Sequence, residues 1–294
     1  MTAVLASGAV RAAPRKERSP LAVVQVAAVA LIALVIVSPL ILLVVASLKP
    51  DRFQILQDMG SFRAFVVANP TLRNFAEVLT LDGPLPFGRY MLNSLFILAV
   101  TVGCGVFVNS AAAFVLAWGR LPGLGLILGL LIALYIVPQE SIVLPLLMIV
   151  NRAGFGDTFT AQILPWIASP LYIFLFYQFF KQVPKDMVDA ARMDGAGPWR
   201  IYWSLFLPLS LPVMATTAIL LGIETWNQYL WPLMVTQTNY ARPISVGIAS
   251  FFGADSIFWN DAMAASVVMM APVLLLYIVF QRWFVASVMG AAVK

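Results

Sequence analysis

The sequence has no histidine, a single cysteine and few charges. Without histidine there is no His-based metal site, no Ser-His-Asp triad and no zinc-protease motif. One cysteine, Cys104, rules out a disulfide framework; it lies in an apolar run and reads as a small packing residue. None of the five lysines completes a G-x-x-x-x-G-K-[ST] phosphate loop, and no G-x-S-x-G motif occurs. No Gly/Ser-rich linker and no short-period repeat divides the chain. Charged residues make up 11% of the 294 positions, where an ordinary soluble domain carries about 25%. A soluble fold of this size would lack the polar surface to cover itself, so lipid is the expected solvent.

The hydrophobic content is 62%. A membrane-spanning helix needs about 20 mostly apolar residues, and six stretches qualify: about residues 21–48, 90–118, 124–150, 159–180, 209–235 and 264–284. The expected fold is therefore an all-α integral membrane protein with six transmembrane helices. Residues 1–20 read as a basic cytoplasmic tail. Residues 21–285 form the six-span domain, and residues 286–294 a cytoplasmic C-terminal tail. Between the first two spans, residues 49–89 hold Pro50, Asn69-Pro70, Asp82-Gly83-Pro84 and Pro86, the turn signals of an extracytoplasmic loop with short helices. With the N-terminus inside, eleven Lys and Arg fall on inner segments and seven on outer ones, which favours both termini in the cytoplasm. In such a chain the net charge of +5 reports loop topology, and nucleic acid is not an expected partner.

Residues 181–208, between the fourth and fifth spans, carry the most information. Pro184 suits a first helical turn and Lys185-Asp186 keeps it soluble. Val183, Met187, Ala190, Ala191 and Asp194 recur at helical spacing, giving one small, apolar face. Gly195 stops the helix, because it tolerates a left-handed cap, and Pro198 can start another. The expectation is a helix–turn–helix across the inner face of the membrane, with small alanines that admit another protein.

Asp189-Ala190-Ala191, Gly195, Leu205 and Leu207-Pro208 reproduce the spacing of the EAA loop of ATP-binding-cassette importer permeases: Glu-Ala-Ala, three residues, Gly, nine residues, Ile, one residue, Leu-Pro. Asp189 stands for Glu and Leu205 for Ile, while Asp194 and Ala196 flank the glycine. The chain also resembles the maltose-transporter MalG type of permease, within the carbohydrate-uptake class. The resemblance is carried by Thr71-Leu72-Arg73-Asn74-Phe75, Tyr90-Met91-Leu92-Asn93-Ser94, Gly154-Phe155-Gly156-Asp157-Thr158, Trp226-Asn227-Gln228-Tyr229-Leu230-Trp231-Pro232-Leu233 and Gln281-Arg282-Trp283-Phe284-Val285. It implies a type I importer permease fold in the bacterial inner membrane. Such a permease pairs with a second, homologous permease and docks its EAA loop in a groove on one subunit of an ATPase dimer. An extracytoplasmic sugar-binding protein delivers the substrate. The resemblance implies no cofactor in this chain, ATP and Mg being bound by the ATPase, and no catalysis of its own. In the maltose-type pair the other permease provides most of the direct sugar contacts.

Ionisable groups at membrane depth are costly and face a cavity or a partner. Glu140 and Glu224 qualify. On a continuous helix Glu224, Asn227, Gln228 and Trp231 share one face at i, i+3, i+4 and i+7. Acid, amides and an indole suit sugars: the polar groups bond hydroxyls and the ring stacks on C–H-rich surfaces. The stripe either lines a translocation path or joins helices, and Glu140 admits both readings too. Asn93 and Asn109 read as packing or interhelical hydrogen bonds. Gly125 and Gly129 form a small-residue pair for close helix approach. Polyols and glycerol phosphates are alternative substrates. A stand-alone secondary transporter would need no EAA loop, and an intramembrane enzyme lacks its usual residues.

Overall fold

In the computed structural model, which describes residues 20–51, 53–82, 86–119, 121–251 and 259–292, no strand occurs among the described residues. The expected basic tail, Arg120 in the turn after the second span, and Lys294 lie outside them. Helix α1 (Pro20–Ser47) runs 28 residues, about 42 Å at 1.5 Å per residue. Its residues from Val24 to Val37 are exposed on every side of the single chain. Three short pieces follow in the loop between the first two apolar runs, where the turn signals predict short helices: α2 (Gln54–Asp58), a 3-10 turn (Phe62–Phe65) and α3 (Arg73–Val78). Helix α4 (Phe87–Trp118) is unbroken over 32 residues.

The next spans are not straight. Helices α5 (Leu124–Ile136) and α6 (Gln139–Arg152) meet at 98°. Pro138 has no N–H to give and forces Val137 into an extended conformation (ψ 122°). Helix α7 (Phe159–Ile163), its 3-10 extension (Leu164–Trp166) and α8 (Pro170–Phe180) bend by 43°, with Ser169 extended ahead of Pro170. Helix α9 (Lys185–Met193) lies before α10 (Pro198–Ile201), a π turn (Tyr202–Phe206) and α11 (Leu207–Leu209). That run turns by 76° into α12 (Leu211–Asn227). Gln228 and Tyr229 separate α12 from α13 (Leu230–Val235), so residues 209–235 are not one helix. Helix α14 (Ile244–Gly247) and a 3-10 turn (Ile248–Phe251) precede α15 (Trp259–Ala292), which contains Pro272. Residues 286–292 continue that helix. Among the described residues two helices are long and apolar enough to cross a bilayer, or five if each bent pair counts as one span, and Trp259–Leu275 of α15 is a further apolar stretch.

Buried polar side chains tie these broken elements together. Just past the C-terminal end of α1, Lys49 is 1% exposed and pairs with Asp58 at 2.7 Å while donating to the Arg63 carbonyl at 3.1 Å. The Asn74 amide donates to the Ser47 and Lys49 carbonyls at 2.7 and 3.0 Å and accepts from Asn260 at 3.0 Å. It thereby joins α1, α3 and α15. Asn109, fully buried in α4, donates to the Ile167 carbonyl at 2.9 Å and accepts from the Ser169 N–H at 2.8 Å. These are backbone groups that the kink before Pro170 takes out of the helical ladder. The bend therefore survives in an apolar setting because a neighbouring helix satisfies it.

Candidate functional site

Two constellations stand out, one at the 181–208 segment and one beside α12. Helix α9 starts directly after Pro184 and ends in a Schellman cap. The Ala196 N–H donates to the Ala191 carbonyl and the Gly195 N–H to the Arg192 carbonyl, both at 3.0 Å, with Gly195 at φ 78°. The stop expected at Gly195 is thus made by its left-handed backbone. The inward face differs from the expected one. Val183 and Val188 are buried in a cluster with Val106 and Ala113 of α4, Phe176 and Phe180 of α8, and Tyr202 and Phe206, against which Ala191, Ala196 and Leu205 pack. Met187, Asp189, Ala190, Met193 and Asp194 point outward. Asp189 forms an exposed 3.5 Å pair with Arg192. Met193 is 84% exposed, and Trp199 and Trp203 are also exposed. The valines at 183 and 188 turn inward because the aromatic cluster offers them apolar burial; that leaves the small and sulfur-bearing side chains free.

The segment is bonded rigidly to the helices above it. The Tyr202 hydroxyl meets the Ser110 hydroxyl at 2.7 Å, both buried, and the Trp118 indole donates to the Phe180 carbonyl at 3.1 Å. Phe206 packs edge-on against Phe114, Trp118 and Phe180 at 5.0–5.5 Å. Leu207 and Pro208 lie in α11, ahead of the 76° turn into α12.

The α12 stripe is split by the break at Gln228–Tyr229. Glu224 and Asn227 are exposed on the last turn of α12, with the Asn227 amide donating to the Ile223 carbonyl at 2.9 Å. Gln228 is half-buried, and its carbonyl accepts the Ser245 hydroxyl at 2.7 Å. Trp231 does not share their face. It is 2% exposed, its indole donates to the Ala161 carbonyl at 3.0 Å, and it stands edge-on to Trp166 at 5.9 Å. The shared face assumed an unbroken helix; no proline or glycine at 227–229 marks the interruption. Glu140 is exposed in the first turn of α6, at the 98° corner, where the helix N-terminus favours its charge. Glu224 has a neighbour that the sequence did not reveal. The Tyr172 hydroxyl of α8 is fully buried, short of a well-formed hydrogen bond, and interacts with the Glu224 carboxylate and with Tyr135. On the other side of α12, Met214, Ala218, Gly222 and Trp226 face Leu98 and Val102 of α4 across an apolar groove of about 690 Å³. The polar stripe is not part of that groove.

The loop at residues 236–244 is clamped. Asn93 donates to the Tyr240 and Arg242 carbonyls, both at 2.9 Å, the Tyr90 hydroxyl to Asn239 at 2.7 Å, and the Ile244 N–H to Ser94 at 2.8 Å. Gln162 holds the Ala241 carbonyl. Asp157, at φ 57°, accepts from the Gln237 and Thr238 N–H groups at 3.0 and 3.2 Å and from the Thr238 hydroxyl at 2.6 Å. Partial burial alone would raise its carboxyl, but the hydrogen bonds from Thr238 and Gln237, with the charge of Arg242, hold it below the usual value.

Comparison with known proteins places these features. Residues 110–290 match the family described as the binding-protein-dependent transport system inner membrane component. The arabinooligosaccharides transport system permease protein AraQ of Halalkalibacterium halodurans is 32% identical over 265 residues, covering 90% of this chain and 94% of the relative. The trehalose/maltose transport system permease protein MalG of Thermococcus litoralis is 31% identical over 267 residues, with the same shares. The sn-glycerol-3-phosphate transport system permease protein UgpE of Pectobacterium atrosepticum is 35% identical over 209 residues, covering 70% of this chain and 74% of the relative. Among solved structures, a chain of a bacterial ABC transporter involved in the import of the acidic polysaccharide alginate superposes with a TM-score of 0.75, covering 92% of this chain and 100% of that one. At 20% identity that likeness speaks for the fold alone.

Proposed function

The chain belongs to the binding-protein-dependent transport system inner membrane component family, and from that membership we propose that it is the sugar-translocating permease subunit of an ATP-driven importer. Arabinooligosaccharide and trehalose/maltose permeases among its relatives support a carbohydrate cargo. The chain crosses the bacterial inner membrane six times with both termini in the cytoplasm, each bent helix pair forming one span. It works with a second, homologous permease, an ATPase dimer that binds ATP and Mg, and an extracytoplasmic binding protein. The chain itself catalyses no reaction.

The observation that carries this reading is the 181–208 segment. A helix fixed by an inward valine face and a glycine cap presents Asp189, Ala190, Met187, Met193 and Asp194 outward. Small and methionine side chains on a rigid base make an adaptable contact surface. The aromatic cluster beneath links it to α4 and α8, so closure of the ATPase dimer moves those helices. Glu224, Asn227, Gln228 and Glu140 border the translocation path. Trp231 supports the break from behind.

Two variants test the coupling role. Ala190 faces outward and Gly195 holds a left-handed turn, so Ala190→Asp and Gly195→Val each disturb the docking surface and leave the spans alone. A β-branched residue at that φ is strained by roughly 1–2 kcal/mol. Both variants should insert, yet lose binding-protein-stimulated ATPase activity and uptake together in proteoliposomes. Normal transport by both would remove the segment from coupling. Failure of the wild type to co-purify with an ATPase would remove the importer assignment itself.

A further inference from the structure

The Tyr172 hydroxyl poses a question that the permease assignment does not answer. It is fully buried and short of a well-formed hydrogen bond, and a buried polar group in that state calls for an explanation. Its polar neighbours are the Glu224 carboxylate and Tyr135. The three residues come from three helices, of which α5 and α12 each pack against α8: Tyr135 near the end of α5, Tyr172 in the first turn of α8 and Glu224 in the last turn of α12. Counted along each helix, Tyr172 stands about 12 Å from the end of α8, Tyr135 about 17 Å from the start of α5 and Glu224 about 20 Å from the start of α12, which on the six-span reading puts all three inside a hydrocarbon core about 30 Å thick. Each lies beside a break in its span, at Val137–Pro138, Ser169–Pro170 or Gln228–Tyr229. Irregular backbone at membrane depth is tolerated where it lines a cavity or is covered by protein.

The charge at this place is of one sign. No Lys or Arg occurs in residues 90–118, 124–151, 159–180 or 209–235. Glu224 and Glu140 are therefore not balanced by a base from those segments. A carboxylate in low dielectric accepts hydrogen bonds from hydroxyls strongly and repels a second anion strongly.

We infer that Glu224, Tyr172 and Tyr135 form one wall of a binding site for an uncharged, hydroxyl-rich cargo and that this wall excludes anions such as phosphorylated sugars and uronates. Glu224 is the cargo-facing acceptor, exposed in this chain. Tyr172 is a positioning residue, whose buried hydroxyl turns to the carboxylate from behind. Tyr135, largely exposed, offers a second hydroxyl at the edge. This rests on the permease reading above and gives the path a charge selectivity. A second permease contributes the opposite wall.

The test uses the assembled importer in proteoliposomes, with Cys104→Ser and a reporter thiol at Asn227→Cys, one helical turn from Glu224. The probes are a cationic and an anionic methanethiosulfonate, their rates corrected for intrinsic reactivity. The cation should react several-fold faster, and Glu224→Gln should abolish the preference. In a parallel cycle, Tyr172→Phe should slow uptake several-fold in the wild-type background and add nothing to Glu224→Gln, with binding-protein-stimulated ATPase activity retained. Equal rates for the two probes, a preference that survives Glu224→Gln, additive effects on uptake, or no labelling in any nucleotide state would each overturn the inference. The thiol arm needs no change at Tyr172, so it decides even if Tyr172→Phe misfolds. Loss of the ATPase on purification would register instead against the permease assignment.

Discussion

Replacing Asn109 by leucine should destabilise the chain by about 2–4 kcal/mol, and the reason is legible atom by atom. Leucine has the same number and branching of side-chain heavy atoms as asparagine, so the change removes hydrogen bonds and leaves no cavity, while its bulkier methyl groups add to the cost. Three bonds are lost: to the Gly105 and Ile167 carbonyls and from the Ser169 N–H. The first is discounted, because Gly105 lies inside α4, where its carbonyl serves the helical ladder. The other two are backbone groups at a kink, and Pro170 prevents the helix from closing over them. Leaving a buried backbone group unpaired costs about 1–3 kcal/mol; with local relaxation holding each of the two to about 1–2 kcal/mol, the pair costs about 2–4 kcal/mol. Side-chain contacts between membrane helices average only about 0.6 kcal/mol, because their freed partners find others; at a fully buried position that escape is closed. The result is a roughly 30- to 700-fold shift in the folding equilibrium and a melting temperature lower on the order of 10 °C. Thermal unfolding of the purified complex in detergent reads this directly. A loss no larger than that of Asn151→Leu, at an exposed position on α6, would refute the account of the bent span.

The clamp on residues 236–244 is predicted to be acid-sensitive. The carboxyl of Asp157 is held below the usual carboxylate value. Its contribution is therefore fully present above about pH 3.9 and is lost as pH falls through its lower folded value. Protease cleavage or hydrogen exchange in residues 236–247 should rise in that acid range for the wild type. Asp157→Asn should show raised exchange at neutral pH and no further acid step of this origin. The proposed topology makes a separate prediction. In a Cys104→Ser background, Phe65→Cys and Tyr240→Cys should react with an impermeant thiol reagent in spheroplasts, and Gly197→Cys only after the membrane is opened. Reaction at 197 from outside would invert the orientation and detach the 181–208 segment from the ATPase.

What the sequence shows plainly is whatever depends on neighbours along the chain. Apolar runs mark the helices, because burial in lipid needs only composition. Proline and glycine mark some of the breaks: Pro138 and Pro170 stand at two bends, and Gly195 carries the left-handed cap. The break after Asn227 has no such marker. It is held from a distance by the Ser245 hydroxyl on the Gln228 carbonyl and the Trp231 indole on the Ala161 carbonyl. A face drawn through residues 224–231 therefore joined an exposed acid to a buried ring. The same limit applies to α9. Periodicity shows that one side is apolar, but whether Val188 or Met187 turns inward depends on the aromatic cluster of α4 and α8.

Lys49 and Tyr172 are the sharper cases, since their chemistry inverts what composition implies. Lys49 counts as an outer cation in the topology bias, yet it is buried against Asp58 and an Arg63 carbonyl. It was available to solvent only as long as the loop was imagined as extended. Tyr172 looks like one more aromatic in the run Tyr172–Phe180, suited to lipid or core. Folding brings its buried hydroxyl to Glu224, short of a well-formed hydrogen bond. A lone acid in a span can be read from sequence as a site. The second residue that turns it into an oriented acceptor comes from a different helix, 52 positions away in the chain, and only the packing of α8 against α12 brings the two together.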